Sequence, residues 1–208
     1  MTVEEKQELL SQVAEEVKNL RLGSLYKTAT QSVPGDGNPD ADILFIGEAP
    51  GFFEDQKGKP FVGNAGKLLD KMLDSISLNR EDIFITNIIK HRPPENRDPT
   101  PEEIKIYTPF LKRQIQIIQP KIIATLGRFS MNLFLPDEKI SQAHGRSYQV
   151  GKYHLFPLYH PAAALRAGNI LKELENDFQK LKIILDESKL KDNPRLNAET
   201  SVIQEELL

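Results

Sequence analysis

The sequence predicts an α/β fold, a three-layer α/β/α domain whose central sheet has four mainly parallel strands. Short apolar runs at residues 43–46, 83–86, 121–126 and 153–158 alternate with longer segments of helical periodicity. The runs are too short for helices and are apolar throughout, as expected for strands that are covered on both faces. Strands that alternate with helices in this way predict a parallel sheet between helical layers.

The first half of the chain contains two predicted helices and two predicted strands. Residues 2–20 carry apolar side chains at helical spacing, which predicts an amphipathic helix. A turn-rich loop leads to a strand at 42–47, and a helix at 65–77 follows with its apolar side chains on one face. The second strand, at 83–86, ends at Asn87.

The second half continues the alternation. Pro101 begins a helix that has two acidic residues in its first turn, a favourable placement at a helix N-terminus. The third strand is predicted at 121–126, and a hairpin at 147–150 and 153–158 supplies the fourth with its second arm. The last long helix is predicted at 171–185.

Composition indicates one ordinary globular domain. The chain has 208 residues, of which 39% are hydrophobic and 27% charged. We expect a single domain over 1–187, with an N-terminal helix (1–22) packed on it, and a flexible tail at 188–208. No apolar run approaches the ~20 residues of a membrane span, and the acidic N-terminus lacks a signal core. We therefore expect a cytoplasmic monomer that does not bind membranes.

The chain contains no cysteine. Disulfides, thiolate nucleophiles, zinc–cysteine sites and cysteine-ligated iron–sulfur clusters are therefore excluded. The four histidines show no ligand spacing, so we expect no metal site. The net charge of −3 does not suggest a nucleic-acid-binding protein, although a local basic face would be compatible with one.

Residues with chemical potential follow three of the predicted strands. Glu48 follows the first, Asn87 ends the second, and His160 follows the last. Because the carboxyl ends of parallel strands meet at one edge of a sheet, these side chains are expected to converge. Asn87 can bind an amide-like edge, Glu48 can activate water, and His160 can donate to an oxygen that gains charge. With Phe61 to stack on a flat ring, a planar imide such as uracil on deoxyribose fits this set.

Five ordered blocks carry a resemblance to a known family. They are GNPDADILFIGEAPG (37–51), ED (54–55), GKPFVGNAGKLL (58–69), TNIIKHRPPENRDP (86–99) and HPAAALR (160–166). With these blocks the chain resembles the uracil-DNA glycosylase superfamily, most closely the family 4 enzymes of bacteria and archaea. The resemblance implies a monofunctional uracil-DNA glycosylase that hydrolyses the N-glycosidic bond of deoxyuridine in DNA. The products would be free uracil and an abasic site, the first step of base excision repair.

The resemblance also implies roles for single residues. Glu48, His160 and Asn87 would be catalytic. The uracil-binding set would be Ala49, Pro50, Gly51, Glu54, Phe61 and Asn87. The stretch 162–166, with Ala163, Leu165 and Arg166, would enter single- or double-stranded DNA. The basic residues Lys90, Arg92, Arg97 and Arg128 are expected to flank the strand ends and contact phosphates, although a solvated surface is the alternative.

The chain departs from the family in one respect. Family 4 enzymes carry four cysteines that bind a four-iron, four-sulfur cluster, and the matching positions here are Leu20, Gly23, His91 and Tyr107. We therefore expect no cluster and no other cofactor. Packing is expected to replace the cluster, through Leu20, Leu22, Leu25 and Tyr107.

Two other functions stay open from the sequence. The chain would bind uracil-DNA and trap it with little turnover, covalently through His91, although the basic insertion of the superfamily branch that does so is missing. Alternatively, residues 47–51 would be a phosphate loop of a nucleotide-binding module, although no Gly-Lys-Ser/Thr ending follows. The residues also have structural readings, such as a helix cap for Glu48, a core position for Phe61, a turn for Asn87 and a buried structural role for His160.

Overall fold

A six-stranded sheet forms the centre of the fold. The computed structural model describes residues 1–191, with side chains described up to residue 188. The strands are β1 (Asp36–Gly37), β2 (Ile43–Gly47), β3 (Phe84–Asn87), β4 (Ile122–Leu126), β5 (Tyr148–Val150) and β6 (Tyr153–Leu158). Their order is β1-β3-β2-β4-β6-β5. The four central strands are parallel, which confirms the predicted class, and β1 and β5 add antiparallel edges.

Helices cover both faces of this sheet. They are α1 (Val3–Lys18), α2 (Leu25–Thr28), α3 (Phe52–Lys57), α4 (Asn64–Ser75), α5 (Pro101–Ile118), α6 (Arg128–Asn132), α7 (Ile140–Ala143), α8 (Pro161–Ala164) and α9 (Gly168–Lys191). Helix α9 runs past the predicted end at residue 185. The first residues of the predicted tail, 188–208, are therefore helical, and the rest of that prediction lies outside the described residues.

Each face of the sheet buries its own apolar cluster. On one face, Phe45 of β2 stacks on Phe178 of α9, with ring centroids 6.1 Å apart, and Leu69 of α4 joins them. On the other face, Leu44 of β2 packs in a cluster with Val17 of α1 and with residues of α5. Neighbouring residues of a strand point to opposite faces, so β2 serves both helical layers. This packing produces the three layers.

Local sequence signals fix where two helices begin. The side chains of Thr2 and Thr100 each accept a hydrogen bond from a backbone N–H one turn into the helix. The carboxylates of Glu5 and Glu103 accept from the backbone N–H of the same threonines. These capping boxes satisfy donors that a helix otherwise leaves unpaired. Pro101 occupies the first turn of α5, as predicted.

Helix α3 was not predicted from the sequence, which gave no helix between the strand at 42–47 and the helix at 65–77. It begins after Gly51, and Gly58 ends it with a φ of 69°. A left-handed glycine commonly ends a helix because it has no Cβ to clash. Two glycines thus mark the two ends of this short helix.

The carboxyl ends of the parallel strands lie along one edge of the sheet. Gly47 of β2 is in register with Asn87 of β3, and Leu126 of β4 with Leu158 of β6. Residues that follow these strands therefore emerge on the same side. In open α/β sheets this edge is where ligands bind.

Candidate active site

A cavity of about 370 Å³ opens at this edge. Its lining residues are Glu48, Ala49, Pro50, Gly51, Glu54, Phe61, Ala65, Asn87, Pro93, Asn96, Arg97, His160, Ala162 and Arg166. The side chains that the sequence reading expected to converge are thus brought together. A second cavity, of about 420 Å³ between α5 and the β5–β6 hairpin, has no acid or histidine in its lining. The first therefore has the chemistry of a site.

The amide of Asn87 is buried in the wall of this cavity, with 1% of the residue exposed. Its Oδ1 has no hydrogen-bond partner among the described residues. Buried polar atoms are nearly always paired, so a buried acceptor at a pocket wall is expected to meet a donor on a ligand. With its N–H donors, Asn87 matches the edge of an amide-like ring.

The ring of Phe61 is held rigidly at the cavity. Its φ of 51° lies in the left-handed region, which is strained for a bulky residue. Arg80 Nη2 donates to the carbonyl oxygens of Phe61, at 2.7 Å, and Pro60, at 3.1 Å. A Cβ at Gly66 would overlap the Phe61 carbonyl, so glycine is required there. The ring is thus in place before any ligand arrives.

Asn87 and Phe61 meet across Gly47. A Cβ at Gly47 would overlap Asn87 Oδ1 and would lie 2.7 Å from Phe61 Cε2. The His160 ring lies next to Phe61, with centroids 5.6 Å apart and planes tilted by 31°. Amide, phenyl ring and imidazole therefore share one compact wall.

The imidazole of His160 is a neutral hydrogen-bond donor. Its Nδ1 accepts from the backbone N–H of Ala162 at 3.1 Å, so this nitrogen carries a lone pair. Burial lowers the pKa of His160 to about 4, although Glu54 opposes the shift. The ring is therefore uncharged at neutral pH and carries its proton on Nε2, which is free to donate.

The carboxyl group of Glu48 is half-buried and forms no hydrogen bond with the described residues. Burial, and then the negative charge of Asp98, raise the pKa of Glu48 to about 7, while Arg128 opposes the rise. A carboxyl group that titrates near neutral pH is well matched to accept a proton from water.

Glu54 organises the cavity from behind. Its Oε1 accepts from the N–H groups of Val62 and Gly63, both at 2.9 Å, and its Oε2 accepts from Gly51 N–H at 3.1 Å. Both oxygens thus accept from backbone N–H groups, so Glu54 holds the loops that line the cavity, and its predicted contact with uracil stays a prediction. The neighbouring Asp55 is buried and accepts from backbone N–H groups of the loop before β1.

Comparison with known protein families agrees with this site. The family model described as the uracil DNA glycosylase superfamily matches residues 34–182, a range that contains every residue lining the cavity. The chain belongs to the uracil-DNA glycosylase superfamily. The resemblance carried by the five sequence blocks is thereby confirmed.

Within the superfamily, the chain is similar to type-4 proteins. The type-4 uracil-DNA glycosylase of Archaeoglobus fulgidus is 48% identical over 183 residues, which cover 84% of this chain and 92% of the relative. That of Thermotoga maritima is 38% identical over 182 residues, covering 85% and 95%. The type-5 uracil-DNA glycosylase of Thermus thermophilus is 27% identical over 164 residues, covering 68% and 74%. The match to type 4 is therefore both stronger and longer.

Three arginines that were predicted to contact DNA lie at the cavity or on the segments next to it. Arg97 lines it and forms a two-pronged ion pair with Glu103, at 2.9 and 2.6 Å. Arg128 is exposed and pairs with Asp98 at 2.7 Å. Arg92 is half-buried, and its Nε donates to a side chain of the same loop. All three are accessible to a ligand outside the cavity.

Lys90 is not accessible, so its predicted contact with phosphate is wrong. The residue is 0% exposed, and its Nζ donates to Thr86, Asn87 and Gln114. The run that contains it reads as a basic loop. However, the backbone of the preceding residues is hydrogen-bonded to the end of β2, and this turns the lysine inward.

The stretch around α8, which the resemblance predicts to enter DNA, lies beside the cavity. Leu165 is 53% exposed, which is unusual for a large apolar side chain. Arg166 is exposed and lines the cavity, while Ala163 is half-buried.

Other residues of the site were not found from the sequence. Phe52 and Phe53, on α3 directly after the cavity backbone, are 51% and 53% exposed. The guanidinium of Arg92 lies 5.2 Å from the centroid of the Phe52 ring. In the sequence, the two adjacent aromatic residues immediately after GEAPG could have indicated this surface. Arg80 gave no signal, because its role depends on the fold of a distant turn.

The residues at the family's cysteine positions do not fit an iron–sulfur cluster. His91 Nδ1 and the Tyr107 hydroxyl are 2.8 Å apart and both residues are buried. A Cβ at Gly23 would lie 2.8 Å from Ile106, and Leu20 packs in the same apolar cluster as Tyr107. Such clusters are held by thiolates, which these residues cannot provide.

The predicted replacement packing is partly right. Leu25 and Tyr107 are each 1% exposed, and Leu20 packs against them, as expected. Leu22 is 63% exposed, so its predicted place in this packing is wrong. It lies in a turn between α1 and α2, where it does not face the sheet.

His91 is poorly placed to trap DNA. It is 4% exposed, bonds to Tyr107 and does not line the cavity. Burial lowers its pKa to about 4.

Across residues 1–191, no three His, Cys, Asp or Glu side chains are grouped as a metal site requires. Within the same range, no helix has the length and apolar character to cross a membrane.

Proposed function

We propose that this chain is a uracil-DNA glycosylase that hydrolyses the N-glycosidic bond of deoxyuridine in DNA, without a covalent intermediate. The observation that carries the proposal is the unpaired Oδ1 of Asn87, buried beside Phe61, His160 and Glu48. Its partner would be the N3–H of uracil. Family membership and the names of the type-4 relatives support the same activity.

A base stacked in a duplex cannot enter a cavity between Phe61 and Asn87, so the target nucleotide must leave the duplex. Flipping costs a few kcal/mol, and less in a single strand. In the cavity, Phe61 stacks on the uracil ring and Asn87 pairs with its edge. The backbone of Ala49, Pro50 and Gly51 borders the other side.

Bond cleavage then separates charge. The C1′–N1 bond breaks, and its electron pair goes to the uracil ring, where negative charge collects on the carbonyl oxygens. His160 Nε2–H donates to one of these oxygens; removing such a donor typically raises the barrier by about 2.7–4 kcal/mol. Water adds to C1′ as Glu48 takes its proton, and uracil leaves as an anion that is later protonated at N1. The products are uracil and an abasic sugar.

The surroundings of the cavity suit a DNA strand. Arg92 and Arg166 supply positive charge near the opening, although the chain as a whole is acidic. Arg97 and Arg128 add guanidinium groups that are paired with Glu103 and Asp98. Such residues position the phosphate backbone. Leu165 is placed to fill the space that the flipped base vacates, and Phe52 and Phe53 offer apolar contacts to neighbouring nucleotides.

The proposed reaction uses no cofactor, because acid, donor and ring all come from the chain. We place it at the first step of base excision repair, in the cytoplasm, with DNA as the partner of a monomeric enzyme. Sedimentation of the protein with and without a uracil-containing oligonucleotide tests the monomer and its complex.

The test of activity is a labelled oligonucleotide with one uracil, treated with protein and then with alkali. We expect strand cleavage at the uracil in single and double strands, and none in the matched thymine strand. Asn87→Ala and His160→Ala should each lower the rate at least 10²-fold. Folded protein that produces no cleavage above background would refute the proposal. A denaturant-resistant complex with uracil-DNA that His91→Ala abolishes would favour trapping instead.

A further inference from the structure

The buried side chain of Lys90 lies directly behind the Asn87 wall of the cavity. Its Nζ donates to Thr86 Oγ1 at 2.6 Å, to the backbone carbonyl of Asn87 at 2.7 Å and to Gln114 Oε1 at 2.6 Å. Buried lysines are rare unless paired with an acid. Within the described residues, no carboxylate contacts this one.

The three contacts of Nζ match the ammonium form of Lys90. Gln114 Nε2 donates to the Pro34 carbonyl at 2.7 Å, which orients the amide so that its oxygen faces the lysine. The Thr86 hydroxyl donates to the same carbonyl at 2.8 Å, which leaves its oxygen to accept. A backbone carbonyl can only accept. Three acceptors match the three N–H groups of an ammonium, and these contacts oppose the burial that lowers the pKa of Lys90.

The same loop ties β3 to β2. The N–H groups of Ile88 and Ile89 donate to the carbonyls of Gly47 and Glu48, both at 3.0 Å. The Lys90 side chain then turns back to the carbonyl of the residue that ends β3. One side chain therefore closes a loop that joins the two strand ends beneath the cavity.

We propose that Lys90 is a positioning residue, whose buried ammonium fixes the Asn87 peptide and so the amide that meets uracil. The inference rests on the proposed function, because it assumes that Asn87 contacts the substrate. Without the ammonium, three buried acceptors lose their donor, and the end of β3 must shift to find others. A displacement of about 1 Å in a reacting geometry can lower a rate about 10²-fold.

Lys6 provides a matched control. It is also a buried lysine, and its Nζ contacts Asp40 at 2.6 Å and the Ile118 carbonyl at 2.9 Å, beyond the cavity lining. Lys90→Met and Lys6→Met each replace an ammonium with an apolar chain of similar length. We expect Lys90→Met to lower the single-turnover cleavage rate about 10²-fold with little change in the dissociation constant for DNA. Lys6→Met should keep the wild-type rate where both variants are folded.

A second readout does not depend on turnover. The side-chain amide of Asn87 gives an NMR signal that Asn87→Asp removes and thereby assigns. Lys90→Met should shift this signal, while Lys6→Met should leave it in place. If the wild-type protein does not cleave uracil-DNA, the proposed function fails, and this signal still decides whether Lys90 holds Asn87.

The proposal is overturned if folded Lys90→Met cleaves at the wild-type rate and leaves the Asn87 signal unmoved, because Lys90 would then act only on stability. If Lys90→Met does not fold, Lys90→Met with Gln114→Leu is measured instead, since it also removes an oxygen left without a donor. Gln114→Leu alone is the reference for that pair. The proposal is supported if the double variant has a lower cleavage rate and a shifted Asn87 signal while Gln114→Leu by itself has neither.

Discussion

Two buried regions of this molecule treat their polar groups in opposite ways. In the cavity, Asn87 Oδ1 has no partner among the described residues, and the pKa of Glu48 is raised to about 7. At the family's cysteine positions, the His91 imidazole and the Tyr107 hydroxyl satisfy each other inside an apolar cluster. Unpaired groups are thus kept where a ligand would complete them, while the other region is closed by packing.

The two regions are separable. The cavity keeps its acid, ring, amide and imidazole although no residue at the cysteine positions can bind a cluster. A region with satisfied groups should therefore control stability, and a region with unsatisfied groups should control rate.

The largest effect is expected at Glu48. Glu48→Gln removes the proposed base and should lower the cleavage rate about 10²- to 10⁴-fold. It should also stabilise the protein at high pH. The folded pKa of about 7 lies above the unfolded value, so ionised Glu48 destabilises the fold increasingly as pH rises through that interval.

Thermal unfolding of wild type and Glu48→Gln at pH 4 and pH 8 measures how much stability the ionised carboxylate costs. The variant should have the higher Tm at pH 8 and an equal Tm at pH 4. Equal values at both pH values would show that burial does not penalise this carboxylate.

The pH dependence of cleavage sharpens the same point. Because Glu48 must be ionised, kcat/KM should rise with pH through about 7 and then level. Asp98→Asn removes a nearby negative charge and should move the rise to lower pH. Arg128→Gln removes a positive charge and should move it to higher pH. Identical profiles in all three proteins would assign the titration to another group.

The packed region should respond in stability alone. Tyr107→Phe removes the hydroxyl and leaves His91 Nδ1 buried without its partner, which should cost about 1–3 kcal/mol of unfolding free energy. Urea denaturation measures the loss, and the cleavage rate of the folded variant should match wild type. A slower folded variant would show that the two regions are coupled.

The smallest effect is expected at the rim of the cavity. Phe52→Ala removes an exposed ring that lies under Arg92 and should weaken DNA binding by about 0.5–1 kcal/mol, seen as a higher KM with little change in kcat. Ile183→Ala on α9 is the matched control, since its side chain is similarly exposed, at 59%. An equal effect of the two would argue against a contact between Phe52 and DNA.

Strand ends were the part of the fold that sequence predicted best. Apolar runs identified the four parallel strands, and parallel ends must share an edge, so the meeting of Glu48, Asn87 and His160 followed from topology. The direction of a loop side chain did not follow. Lys90 reads as basic and exposed, yet its acceptors come from β3 and from a helix 24 residues away.

The division of work between neighbouring acids was also beyond sequence. Glu48 precedes helix α3 and Glu54 lies in its first turn, but only the folded loops show that Glu54 accepts from three backbone N–H groups. Likewise, the formation of strand β1 and the role of Arg80 depend on contacts between distant segments. Such contacts leave no periodic pattern to detect.

Gly47 sets two dimensions of the cavity at once. Phe61 limits how thick a bound ring can be, and Asn87 limits how far its edge can extend. Both residues lie against the same Cα, that of Gly47. A single added methyl would push plane and edge apart together. Attempts to widen the range of accepted bases should therefore begin at the rim, at Ala49 or Asn96, because strand β2 offers no independent adjustment.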